Sequence, residues 1–168
     1  MSVATLLVLT GCGGSPGAPA PGAAAAGAPA RLEVGSPAFH NGGTIPAAYT
    51  CAGAGRRPAL TWSGDWNGTT AVALVVDDPD APGGDFYHWV VVDMPAGSTG
   101  VTDQIPASAR QIKPWTPPCP PSGTHHYRFT VYGLDQAIGG AGLTAALATI
   151  AKHTVTSGRL TGLVAHHR

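Results

Sequence analysis

The sequence predicts a mainly β domain: an antiparallel sandwich with one short helix in its C-terminal half. Three observations point there. Several segments are rich in β-branched and aromatic residues and bounded by Pro, Gly or Asp. The loops between them are long and proline-rich, and only one late segment spaces its apolar residues as a helix does.

In chain order, Leu32–Val34 and Ala59–Trp62 are short strand candidates. Thr70–Val76 is a stronger one, a nearly continuous run of Ala, Val and Leu. The sequence ends it at Asp77-Asp78-Pro79-Asp80, because three carboxylates interrupted by a proline do not extend a sheet. Tyr87–Val92 and Tyr127–Leu134 follow. The latter alternates imperfectly between polar and apolar residues, as a strand with one covered face would. Leu143–Ala151 reads as the helix, with Leu143, Leu147 and Ile150 on one face. Leu160–Val164 is the last strand candidate, and no internal repeat is present.

The 168 residues suit one folded domain. Charged residues make up only 11% and the formal net charge is zero. No basic run exists to follow a phosphate backbone or to grip anionic lipid, so nucleic acid is not an expected partner.

Ser2–Thr10 is apolar but too short to span a bilayer as a helix. It leads into Leu9-Thr10-Gly11-Cys12, which resembles the lipobox of bacterial lipoproteins. That resemblance implies a signal peptide over 1–11 and a lipidated Cys12. All eighteen residues from Gly13 to Ala30 are Gly, Ala, Pro or Ser, which cannot bury enough apolar area to offset ordering. As a coil such a tether spans about 25 Å. The expected organisation is therefore an anchor, a tether over 12–30 and a domain over 31–168, held at the extracytoplasmic face of a membrane.

Three segments carry chemistry. Asp77-Asp78-Pro79-Asp80-Ala81-Pro82 is a charged turn or, less simply, a calcium loop short of further oxygen ligands. His88-Trp89 enters an apolar strand, where a histidine is most often a satisfied core residue. Pro117-Pro118-Cys119-Pro120-Pro121 is a stiff loop with few backbone donors, and it leads to His125-His126-Tyr127. On a strand, His125 and Tyr127 share one face while His126 takes the other.

Together these segments resemble the phosphatidylethanolamine-binding protein family, in particular its bacterial, Raf-kinase-inhibitor-like branch. The resemblance runs from about Phe39 to the C-terminus. It rests on Thr50-Cys51 with Pro58–Ser63, Asp78–Pro82, His88–Pro95, Pro118–Gly123, His125–Phe129 and Tyr132–Asp135, in order and at matching separations. It implies a Greek-key β-sandwich with a small cavity for phosphate, acetate or the phosphate of a lipid headgroup. Its walls would be Asp78, His88, Cys119, Pro120, His125 and Tyr127, with Pro120 and Pro121 as a rigid side. Asp78 would orient His88 and hold it protonated. Cys51 and Cys119 would border the same pocket, where either a bridge or two separate thiols is open.

The chain also departs from the pattern. Ala52 follows Cys51 where an acidic residue is usual, and Lys113-Pro-Trp-Thr-Pro-Pro118 replaces a glycine-rich segment. Trp115 is thereby expected to stiffen and narrow one lip.

The expected function is non-catalytic binding of a small anionic ligand, without cofactor or metal. An inhibitor-like module acting on a protease or kinase is the alternative. A hydrolase is a weaker one: Ser122, His125 and Asp78 are the right residue types, but no strand–Ser–helix elbow is visible. The pairs His125-His126 and His166-His167 would point apart on a strand, which suits no shared metal ion.

Overall fold

A computed structural model describes residue 1 and residues 31–167; the readings made for Cys12 and the tether lie outside the described residues. Among the described residues, nine strands and one α-helix follow in order: β1 (Leu32–Gly35), β2 (Gly43–Thr44), β3 (Leu60–Gly64), β4 (Ala71–Asp78), β5 (Phe86–Pro95), β6 (Gly100–Val101), β7 (Arg110–Lys113), β8 (Thr124–Leu134), α1 (Leu143–His153) and β9 (Thr154–Ala165). A single 3-10 turn covers Ala47–Tyr49.

The strands form a three-stranded sheet, β1-β3-β6, and a six-stranded sheet, β2-β9-β8-β4-β5-β7. In the larger sheet β8, β4, β5 and β7 stand in the spatial order fourth, first, second, third. That is a Greek key. All pairings are antiparallel except the short β2 against β9, which is parallel.

β4 lies in the middle of the six-stranded sheet and every one of its residues is buried. Val72, Leu74 and Val76 face the three-stranded sheet, where Trp62, Trp89, Phe129 and Leu160 meet them. Ala73 and Val75 face the other way, where Ile150 of α1 covers them with Leu143 and Leu147 alongside. Two covered faces explain why β4 is an unbroken apolar run rather than an alternating one. Burying a side chain such as Phe129 contributes roughly 1.5–3 kcal/mol.

The expected elements are present with shifted ends. β4 continues through Asp77 and Asp78, beyond the expected stop at Val76, because both carboxylates find cationic or imidazole partners on β8. β8 starts at Thr124 rather than Tyr127, and β9 runs twelve residues rather than the five of Leu160–Val164. α1 ends at His153 and passes straight into β9 at Thr154. The short β2, β6 and β7 carry too few residues to show a period.

Candidate ligand site

The end of the sandwich where β4 stops and β8 starts brings the chemically distinctive residues together. Along β4 the alternation that points Val76 between the sheets points Asp78 there too and sends Asp77 to the opposite face. Along β8 His125, Tyr127 and Phe129 are buried on the inner side while His126 is exposed.

His88 arrives by a different device. On β5, Trp89 pairs with Val76 and Tyr87 pairs with Asp77, so His88 has no counterpart on β4. This bulge breaks the two-residue alternation and turns His88 to the same side as Trp89. Its ring meets Tyr127 edge-on at 5.1 Å and Phe86 at 4.8 Å.

These side chains enclose a cavity of about 270 Å3. Asp78, His88, His125 and Tyr127 supply its polar surface. Ala81, Pro82, Phe86, Pro117 and Pro121 supply its apolar rim, and Thr116 and Cys119 complete it. The loop over 115–121 is clamped from outside. Cys119 is bonded to Cys51 with Cα atoms 5.3 Å apart, and the Cys51 N–H donates to the Pro118 carbonyl at 3.0 Å. The Trp115 indole N–H donates to the Gly55 carbonyl at 2.8 Å. Gly55 has φ +64°, and a Cβ there would stand 2.8 Å from Pro117, so only glycine suits this crossing.

The three acidic residues of the turn diverge to three partners on one strand. Asp77 forms an ion pair with Arg128. Asp78 Oδ2 lies 2.7 Å from His125 Nδ1. Asp80 Oδ2 accepts from both the backbone N–H and the ring Nδ1 of His126, at 2.7 and 2.8 Å. Carboxylates so divided cannot converge on one calcium ion.

A family model described as phosphatidylethanolamine-binding protein matches residues 35–165. The chain belongs to the phosphatidylethanolamine-binding protein family. The UPF0098 protein Rv1910c of Mycobacterium tuberculosis is 43% identical over 143 residues, covering 78% of this chain and 69% of that protein. Another relative from that organism, named "Putative lipoprotein LppC", is 42% identical over 144 residues, covering 78% and 71%. Among solved structures, the homolog CT736 from Chlamydia trachomatis has a TM-score of 0.73 at 28% identity, over 82% of this chain and 99% of that one. Escherichia coli YbcL, titled a new member of the mammalian PEBP family, has 0.72 at 26%, over the same shares.

Five of the six residues that the resemblance to phosphatidylethanolamine-binding proteins placed at the cavity line it: Asp78, His88, Cys119, His125 and Tyr127. Pro120 does not. It is buried behind the wall, its carbonyl accepting from His166 Nδ1 at 3.0 Å, and Pro121 faces the cavity instead. In an extended proline run successive residues turn to different sides.

The expected partnership of Asp78 with His88 is also corrected. Asp78 is committed to His125, while His88 Nδ1 lies 2.8 Å from the Thr116 carbonyl. Burial pushes the His88 imidazole below its ordinary value, and the Thr116 contact and the more distant Asp78 only offset part of that. Burial, reinforced by Asp78, likewise pushes the Tyr127 phenol upward, keeping its proton on.

Trp115 does not narrow the mouth. It packs behind the loop against Trp89, with ring centroids 6.1 Å apart, and against Phe129. Ser122 is exposed and does not line the cavity. Thr116 escaped sequence reasoning because it acts through its backbone carbonyl, which every residue has. Phe86, two positions before His88 and so on its face by plain strand alternation, lies one residue before the strand start expected at Tyr87.

Proposed function

We propose that this chain is an envelope lipoprotein whose domain binds a small phosphorus or carboxylic oxyanion without turning it over. The observation that carries the reading is the convergence of the Asp78–His125 pair, His88 and Tyr127 on one cavity of about 270 Å3. Imidazole and phenol groups are suited to the oxygens of such a ligand, and the cavity volume matches a headgroup rather than a whole lipid. The apolar rim of Pro82, Phe86, Pro117 and Pro121 leaves an organic substituent somewhere to rest.

Binding without turnover is supported by what surrounds the Asp78–His125 pair. A carboxylate–histidine pair needs a nucleophile for acyl or phosphoryl transfer. The cavity's one sulfur is tied up in the Cys51–Cys119 bridge, and Ser122 stands outside it. Envelope attachment is supported by the Cys12 motif with its tether and by the name of the relative LppC.

Titration calorimetry with inorganic phosphate and phosphorylethanolamine tests the binding reading. His125→Ala should weaken binding by about 1.5–3 kcal/mol, the scale of a hydrogen bond to a charged group. His126→Ala, on the outer face, should leave it unchanged. Equal effects from the two would refute the site. Metabolic lipid labelling that persists in Cys12→Ser would refute the anchor.

A further inference from the structure

The six-stranded sheet carries a second cavity, on the face turned away from the ligand site. Neighbouring residues divide between the two. Asp77, Tyr87 and Arg128 line the outer cavity, while Asp78, His88 and Tyr127 line the inner one. The outer cavity measures about 230 Å3. One side of it is apolar, formed by Leu147, Ile150 and Ala151 of α1 with Val75 of β4 beneath them. The other side is polar and comes from β5, β8 and β9 together with Asp85.

On the polar side the carboxylates are already matched. Arg128 Nε donates to Asp77 Oδ2 at 2.8 Å, its Nη2 reaches the same oxygen, and that Nη2 lies 3.3 Å from Asp85 Oδ1. One guanidinium thus serves two acids. Arg159 is differently placed. Its Nε donates to the Thr130 hydroxyl at 2.9 Å, and no carboxylate stands within ion-pair distance of it among the described residues. The four N–H groups on its outer two nitrogens remain for another partner. Neither the Tyr87 nor the Tyr132 phenol is hydrogen-bonded to another described residue. Burial, with Asp85 close by, pushes the Tyr87 phenol upward and keeps its proton on. The spare capacity of this cavity is therefore a positive charge and a set of donors.

Folding alone gives no reason for such a floor. α1 covers Ala73 with apolar side chains, and the same cover over Asp77 would be at least as stable as a buried ion pair. Burial instead pushes the Asp77 carboxyl upward even with Arg128 beside it. Titratable groups held at such cost in a cavity mark a binding site.

We propose that the outer cavity is a second binding site, which takes a small apolar monocarboxylate. Its two oxygens accept from the outer nitrogens of Arg159 as a fork, and its hydrocarbon body rests against Leu147 and Ile150. A dianion suits the site less, because Asp77 and Asp85 repel the second charge. An amine would meet Arg159 as the one unmatched charge. The volume lies below the roughly 300 Å3 at which sites for drug-sized ligands begin, which fits an acid the size of benzoate.

Nuclear magnetic resonance titration of the nitrogen-labelled full chain with benzoate, benzyl alcohol and benzylamine tests the site. Benzoate should shift the amide signals of Tyr87, Tyr132, Leu147 and Ala151. It should bind at least about tenfold tighter than the alcohol or the amine, the lower end for a hydrogen bond to a charged group. Arg159→Gln should weaken benzoate by about tenfold or more. Ala151→Phe, at an exposed position of α1, fills the apolar side and should abolish benzoate binding. Both variants should bind inorganic phosphate as the parent chain does. Benzylamine or benzyl alcohol binding as tightly as benzoate would overturn the proposal. Shifts confined to His88, His125 and Tyr127 would place benzoate in the inner cavity, overturning the outer site and leaving the anion reading intact. Parent-like affinity in Arg159→Gln, or no binding of benzoate at all, overturns it equally. Phosphate calorimetry decides the inner cavity separately, so the two readings fail independently.

Discussion

His125 Nδ1 lies 2.7 Å from Asp78 Oδ2, and the two side chains are only 8% and 4% exposed. The contact joins the last residue of β4 to the second residue of β8. It is not a ladder hydrogen bond, so it fixes the rings and carboxylate of the site independently of the sheet. Removing Asp78 strands a buried donor. Asp78→Ala should therefore cost about 1–3 kcal/mol of stability, whereas Asp78→Asn, which still accepts from His125, should cost less. Urea unfolding at constant slope gives both numbers. An Asp78→Ala midpoint equal to that of the parent chain would mean the pair holds nothing.

The bridge between Cys51 and Cys119 closes a segment with a sequence separation of 68. By loop entropy alone such a closure stabilises the folded chain by about 4 kcal/mol. The double variant Cys51→Ala/Cys119→Ala should lose stability on that order, and reductant should shift the parent chain but not the variant. A loss below about 1 kcal/mol would show that the Trp115–Gly55 and Cys51–Pro118 hydrogen bonds already hold the loop.

Much of this was legible in the sequence, for identifiable reasons. β4, β5, β8 and α1 were found because each is long enough to show its period and rich in the residue types that fit it. The shared face of His125 and Tyr127 follows from strand geometry alone. What escaped were features with no side-chain signature. The bulge that puts His88 and Trp89 on one side is a register shift between the neighbouring strands β4 and β5, which composition does not reveal. The pairing of Asp78 with His125 rather than His88 shows only in the side-chain contacts. Pro120 and Pro121 are chemically identical, and only the path of the loop decides which one faces the cavity.

A second irregularity on β5 makes another prediction. Val72 pairs with Met94 and Leu74 with Val91, so Val92 and Asp93 stand opposite Ala73 alone. Asp93 takes φ 59°, a conformation that L residues other than Asn and Asp rarely adopt. Its Oδ1 accepts from the Ile138 N–H at 2.7 Å, and its Oδ2 lies 3.6 Å from Arg110 Nε. Asp93→Asn keeps both the backbone tolerance and the acceptor, and should change stability by less than about 0.5 kcal/mol. Asp93→Ala loses the acceptor and should cost about 1–3 kcal/mol. Thermal unfolding of the two variants decides it, and equal melting points would show that the side chain is idle.

The last prediction concerns pH. Burial holds the folded-state pKa of His88 below 6.5, its ordinary value. Below that value the unfolded chain binds a proton that the folded chain resists, so the folded state loses ground as pH falls. The stability is present in full above about pH 6.5 and declines as pH drops towards the folded-state pKa. Asp80 also has a lowered value, held down chiefly by the His126 backbone N–H, but its contribution is lost only below its ordinary 3.8. Asp77 is raised by burial despite Arg128, so its protonation favours the folded chain as pH falls and works against the His88 trend. Both carboxylates are common to the parent chain and His88→Gln, so the difference between the two proteins isolates the histidine. Urea midpoints measured from pH 6.5 down to about pH 5, in phosphate-free buffer, should fall with acidification in the parent chain. In His88→Gln the fall should be shallower, because glutamine does not titrate. An identical slope in the two proteins would show that His88 takes up its proton as readily when folded as when unfolded.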